Sequence, residues 1–295
     1  MHGRHVDLWA PANYEKLHVG ITTMKPRVLL YCLLGGLPLA IPAIGSGNLG
    51  WWLLSAIVLA AGFVPVAFFG PRRPLAQFGV IAPVLLIVGG LCIWTEAWLF
   101  VPAFRQHALR TVTAGTTTYL VVAAALAALA WWLKLVRPDD PRVERRGIAA
   151  SVVLVLIAGF AYLVYYAFFG AITYIFFTRV YYPQATQQVG QLGLWFWGIQ
   201  IGRGVLMTLA VLPVVFTLRL SRGKAAIAVG LLLWIVGGLA PLLVPNGFMA
   251  VPQRIIHVVE IFTQNVALGM TVVWLLRRKS KPAADRMPEV AAAAP

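Results

Sequence analysis

QRIIHVVEIFTQNVALGMTVVWLL, residues 253–276, decides how this chain is read. The stretch is long and apolar enough to cross a bilayer core of about 30 Å as one helix. Its first half nevertheless carries Gln253, His257, Glu260, Gln264 and Asn265. The spacing 253, 257, 260, 264 follows i, i+4, i+7, i+11 and draws one stripe down one helix face. The rest of the stretch is rich in Val, Ile, Leu, Phe and Met. A polar stripe on a membrane helix does not face lipid cheaply, so it must face other helices or a watery cavity.

Composition extends this reading to the whole chain. Of 295 residues, 60% are hydrophobic and 11% charged, against about 25% charged in soluble domains. The chain reads as an all-α, polytopic integral membrane protein. After a polar leader (residues 1–27), apolar runs follow at 28–45, 50–70, 76–100, 111–134, 148–172, 192–218, 225–244 and 253–276. Each reaches or approaches the ~20 residues a span needs, which gives eight transmembrane helices over residues 28–276. Residues 277–295 have no core-forming pattern and read as a disordered tail. From Gly147 to Tyr182 no proline intervenes. One helix over those 36 residues would be about 54 Å long and would tilt or project from the bilayer. Pro183 then ends it. The Gln-rich segment after it reads as a surface turn.

The net charge of +15 suggests nucleic acid until the charges are placed. Of the 24 Lys and Arg, 19 fall in the leader, the tail and the even-numbered connections, whereas Arg105, Arg110, Arg179 and Arg254 lie on the other side. This bias places both termini in the cytoplasm of a cell (inner) membrane protein. It also accounts for the basic pI with the lipid bilayer, and no nucleic acid, as partner. The basic loops are suited to anionic headgroups. Trp51, Trp52, Trp98 and Trp195 on one side, with Trp131, Trp132 and Trp274 on the other, form interfacial belts.

A faint internal echo runs through the chain. LGWW and VPVAFF (49–52, 64–69) resemble LGLW and LPVVFT (192–195, 212–217), and GLCIW (90–94) resembles GLLLW (230–234). The order and membrane orientation match, which suggests spans 1–4 and 5–8 as two parallel four-helix repeats. That arrangement would set Pro65 near Pro213 and Trp94 near Trp234.

Four features can carry chemistry. Span 8 brings His257, Glu260, Gln264 and Asn265, span 6 brings Gln200 and Arg203 at i, i+3, and span 3 brings Glu96 near its outer end. Span 4 opens with Thr111, Thr113, Thr116, Thr117 and Thr118. All sit in the half of the membrane away from the basic loops. An unpaired Arg at such depth is costly, about 2.5–3.5 kcal/mol on insertion scales. Arg203 therefore needs a partner: Glu260 at comparable depth comes first and Glu96 second. In one reading this is a structural ion pair that pins span 6 to span 8. In the other, Arg203 also binds an anionic or carbonyl group of a ligand, with Gly198, Gly202 and Gly204 allowing close approach. His257 and Glu260 suit a proton relay. With Glu96 they make a poor metal set, and no metal is expected. Haem between two spans would need a second intramembrane His, and no other cofactor follows from the residues. Tyr162, Tyr165, Tyr166, Tyr174, Tyr181 and Tyr182 can line an aromatic wall or simply pack. His2, His5 and His18 read as part of a solvated leader, and Cys32 and Cys92 as small buried residues. No Walker A loop, HExxH, GxSxG or GxGxxG is present.

The favoured function is binding, and movement across the membrane, of a small or amphipathic solute entering from the outer side. The alternatives are a membrane-embedded enzyme or redox subunit acting on a lipid- or quinone-like substrate, and a structural membrane subunit. Oligomeric state does not follow from the sequence.

Overall fold

Prolines and short polar turns cut the apolar sequence into helices. In the computed structural model, residues 25–136, 146–247 and 249–278 are described, the side chain of Ala185 apart. The expectations for the leader up to residue 24, including His2, His5 and His18, and for the tail from residue 279 lie outside them. Among the described residues, eight helices are long and apolar enough to span a membrane: Lys25–Ala43, Leu49–Phe69, Pro74–Phe100, Pro102–Trp132, Ile148–Thr178, Leu194–Thr217, Arg222–Leu243 and Val251–Leu276. They are spans 1 to 8, and they make this an all-α, multi-pass membrane protein.

Two boundaries differ from the sequence reading. Span 4 starts at Pro102, so the stretch between the apolar runs 76–100 and 111–134 is helical rather than a loop. Proline at the first helical position lacks an N–H that would be unpaired there anyway, and its φ is already set for a helix. Only extended Val101 separates spans 3 and 4. Arg105 clamps this hairpin by donating to the carbonyls of Trp98 (2.7 Å) and Leu99 (3.0 Å). Span 5 ends at Thr178, with Tyr181 and Tyr182 turned back onto the Thr178 carbonyl. Its 31 residues make about 46 Å of helix. The Gln-rich segment is a short helix, Ala185–Leu192, rather than a turn.

Spans 2, 3 and 6 form the middle of the bundle, with 50% of their most apolar window buried against 22% for spans 4 and 5. Span 8 packs on spans 7 and 5, span 6 on span 5, and span 3 on span 4. Leu59, Phe63, Leu85, Leu126, Met207, Leu232 and Leu268 fill the core.

At the centre, spans 3 and 7 each widen into a π-helical stretch, Val84–Leu91 and Ile235–Leu239. Both contain the same pentapeptide, Ile-Val-Gly-Gly-Leu, at 87–91 and 235–239. Pro241 lacks the N–H that would bond the Gly237 carbonyl, and a widened turn relieves its ring clash there. The two stretches face each other reciprocally. A Cβ on Gly89 would lie 3.1 Å from Val236 Cγ1, and one on Gly237 would lie 3.1 Å from Val88 Cγ1. In each half, a polar side chain of the following span supports the widened turn. Tyr119 of span 4 donates to the Gly89 carbonyl (2.8 Å), and Asn265 of span 8 donates to the Leu233 carbonyl (3.0 Å).

Candidate functional site

The side chains of spans 3, 5, 6 and 8 meet in the half of the bundle away from the basic loops. Arg203 is 8% exposed. Its Nη1 donates to Oε1 of Glu96 and, at 2.7 Å, to Oε1 of Gln200. The first-ranked partner, Glu260, is therefore not the one it takes. The reason is helix direction. A side chain leans towards the N-terminus of its own helix. Span 6 starts at the end of the bundle away from the basic loops, so Arg203 leans towards that end. Span 3 starts at the basic end, so Glu96 leans back towards it. Cα depth alone pairs Arg203 with Glu260, whereas lean brings it to Glu96.

Span 5 supplies the wall. A Cβ on Gly204 would lie 2.7 Å from the Gly159 carbonyl oxygen and 2.6 Å from Tyr162 Cβ. Only glycine at 204 allows spans 5 and 6 to cross this closely. The crossing lays Tyr162 and Tyr166 beside the guanidinium, each ring centroid 5.9 Å from Arg203 Cζ. Such aromatic faces stabilise a desolvated cation. Cys92, one turn before Glu96 on span 3, is buried beside the same guanidinium. The sequence signal for this arrangement was the Tyr162/Tyr166 spacing of i, i+4, which puts both rings on one face. By contrast, Gly198 and Gly202 face open space with no neighbour within 4 Å, so that glycine pair makes no crossing.

Glu260 anchors a second polar group. Its Oε2 lies 2.9 Å from His257 Nδ1 and its Oε1 accepts from Gln264 Nε2 at 3.1 Å. The other ring nitrogen of His257 lies 3.3 Å from the Tyr182 hydroxyl. Tyr182 follows span 5, where burial first and then the Glu260 carboxylate push its phenol above the ordinary range. Gly170 of span 5 gives Glu260 its room, since a Cβ there would lie 3.4 Å from Oε1. The stripe of span 8 thus divides: His257, Glu260 and Gln264 form one chain, while Asn265 turns to span 7. Gln253 caps its own helix by accepting from the Ala250 amide (2.6 Å). The threonines of span 4 stay outside the site. Thr113 and Thr117 donate to carbonyls of their own helix.

Two donors at the centre have no protein acceptor among the described residues. They are Gln200 Nε2, on a side chain with 0% exposure, and Arg203 Nε. Among the same residues no three His, Cys, Asp or Glu side chains come together as a metal-ligand group. Comparison of the chain with protein-family models, with curated proteins and with solved structures gives no match.

Proposed function

We propose that this protein binds a small or amphipathic solute in the outer half of the bundle, at Arg203 and Gln200, and moves it across the membrane. The observation that carries the reading is the pair of buried, unpaired donors, Gln200 Nε2 and Arg203 Nε. Each buried donor left unpaired costs about 1–3 kcal/mol, and an acceptor oxygen on a ligand would remove that cost. Glu96 already balances the Arg203 charge, so an uncharged acceptor such as a carbonyl suits the site better than a full anion, which would have to displace Glu96. His257 and Glu260 would supply a proton or counter-charge from across the site.

A panel of small carbonyl compounds, carboxylates and quinone-like amphipaths, scored by thermal shift of the purified protein, tests this. We expect stabilisation by carbonyl-bearing members, lost in Gln200→Leu. If no member distinguishes wild type from Gln200→Leu, the binding reading fails. The alternative of a membrane enzyme on a lipid-like substrate draws on the Tyr182–His257–Glu260 chain, which has the make-up of an acid–base relay.

The basic bias supports an inner-membrane orientation with cytoplasmic termini. The shared pentapeptide supports duplication of the last three spans of each half. Shifted by the distance from Ile87 to Ile235, spans 2, 3 and 4 fall on spans 6, 7 and 8 without a gap. This register keeps Pro65 with Pro213 and moves Trp94 from Trp234 to Leu242.

A further inference from the structure

The opposite face of the bundle carries a cleft unrelated to the Arg203 cluster. It has a volume of about 350 Å³ and is lined by Arg72, Ala130, Trp131, Trp132, Lys134 and Val136. Arg72 comes from the turn between spans 2 and 3, and the others from the end of span 4 and the turn after it. Among the described residues, the charged side chains that line it, Arg72 and Lys134, are both cationic. Neither Arg72 nor Lys134 has a side-chain ion pair or hydrogen bond among the described residues. The two indoles stand 61% and 62% exposed, at the level where a Trp belt meets headgroups.

The backbone at Lys134 is the second observation. Its φ of 51° makes it the left-handed non-glycine residue among those described. The turn closes span 4 with Leu135 N–H donating to the Ala130 carbonyl and Lys134 N–H to that of Trp131, both at 3.0 Å. Glycine is the residue this helix-ending turn prefers, because a Cβ strains it. Here the strained position holds a lysine, and it lines the cleft together with Arg72. Strain of this kind gathers where a side chain has a use.

We propose that this cleft is a binding site for the phosphodiester headgroup of an acidic phospholipid. Arg72 and Lys134 hold the phosphate oxygens, while Trp131, Trp132, Ala130 and Val136 meet the glycerol and first acyl carbons. The apolar lining favours an amphiphile over a hydrated free anion, and paired cations favour an acidic lipid over a zwitterionic one.

The test uses the full-length protein purified in neutral detergent, with native mass spectrometry counting retained phosphatidylglycerol against phosphatidylcholine. Wild type should retain one phosphatidylglycerol in preference to phosphatidylcholine. Arg72→Gln combined with Lys134→Gly should lose this preference by about thirty-fold, the factor expected for two interfacial cations. Lys134→Gly alone relaxes the backbone, so its melting temperature without lipid should hold or rise while retention falls. That separates lost binding from lost folding. Equal retention in wild type and the double variant would overturn the proposal, as would indifference to headgroup charge. So would full displacement of the lipid by inorganic phosphate, which would mark a free-anion site.

Discussion

Arg203 reaches Glu96 across the gap between spans 6 and 3, with Gln200 holding the same Nη1 at 2.7 Å. Arg203 is buried but the Glu96 side chain is 34% exposed, so breaking the pair from one side should cost less than the ~3–5 kcal/mol of a fully buried pair, and removing both members less again. Arg203→Met and Glu96→Gln should each lower the melting temperature in detergent, and the double variant should recover part of the loss. Glu260→Gln combined with Arg203→Met should show no such recovery. Strict additivity for Arg203 with Glu96 in the double-mutant cycle would refute the pairing.

The reciprocal crossing of the two π stretches makes a second expectation. Gly→Ala within a helix ordinarily stabilises by about 1 kcal/mol, and Gly79, with nothing within 4 Å of an added Cβ, should behave so. Gly89→Ala and Gly237→Ala should instead destabilise by about 1–3 kcal/mol, because the added methyl overpacks a filled contact. Val236→Ala should relieve the first in part, since Tyr119 stands 3.3 Å from the same added Cβ, whereas Val88→Ala should leave most of the second, whose nearest neighbour is Asn265 Nδ2 at 2.9 Å. No relief of Gly89→Ala by Val236→Ala would argue against the contact between the two stretches.

Tyr119 and Asn265 each bond a carbonyl in or beside a widened turn. Tyr119→Phe and Asn265→Leu should therefore cost similar amounts, about 0.5–2 kcal/mol each. Denaturation in mild detergent measures both. A neutral result for both would mean that these turns support themselves.

Topology is open to direct measurement. Reporter fusions after Arg73, Arg146 and Ser221 should report one side of the membrane. Those placed at 45–48, 180–184 and 246–247 should report the other. A shared side for 146 and 180–184 would remove span 5, and with it the wall of the site.

The eight spans were legible because each apolar run is long and is closed by Pro, Gly or basic residues, as at Phe69 to Pro74. The site was half legible. Glu96, Arg203, Gln200, His257 and Glu260 stand out as polar residues in apolar runs. Which of them touch depends on the lean of each side chain, and lean depends on helix direction, not on depth. Depth alone therefore pairs Arg203 with Glu260. The roles of Tyr162 and Tyr166 were hidden because tyrosines at helical spacing pack as often as they line a site. Gly204 and Gly198 look alike in sequence, and only the angle at which span 5 crosses distinguishes them. The widened turns leave no trace in hydrophobic periodicity when every neighbour is apolar. The sequence marks of those in spans 3 and 7 are the repeated pentapeptide and, in span 7, Pro241.

A widened turn is one extra residue lodged in a helix, and it can pass from turn to turn without the helix breaking. As it passes a residue, that residue swings by about 100° around the axis, the angle of one step in a 3.6-residue turn. Glu96 begins five residues beyond the stretch that ends at Leu91. Sliding that stretch outward past residue 96 would swing the carboxylate off Arg203 and free the guanidinium, with span 7 holding a matching hinge at the same crossing. Deleting Leu86 removes the extra residue outright. The shortened span should still insert, yet lose more stability than Glu96→Gln does, because Val88 and Gly89 turn off span 7 as well, and adding Glu96→Gln to it should cost nothing further.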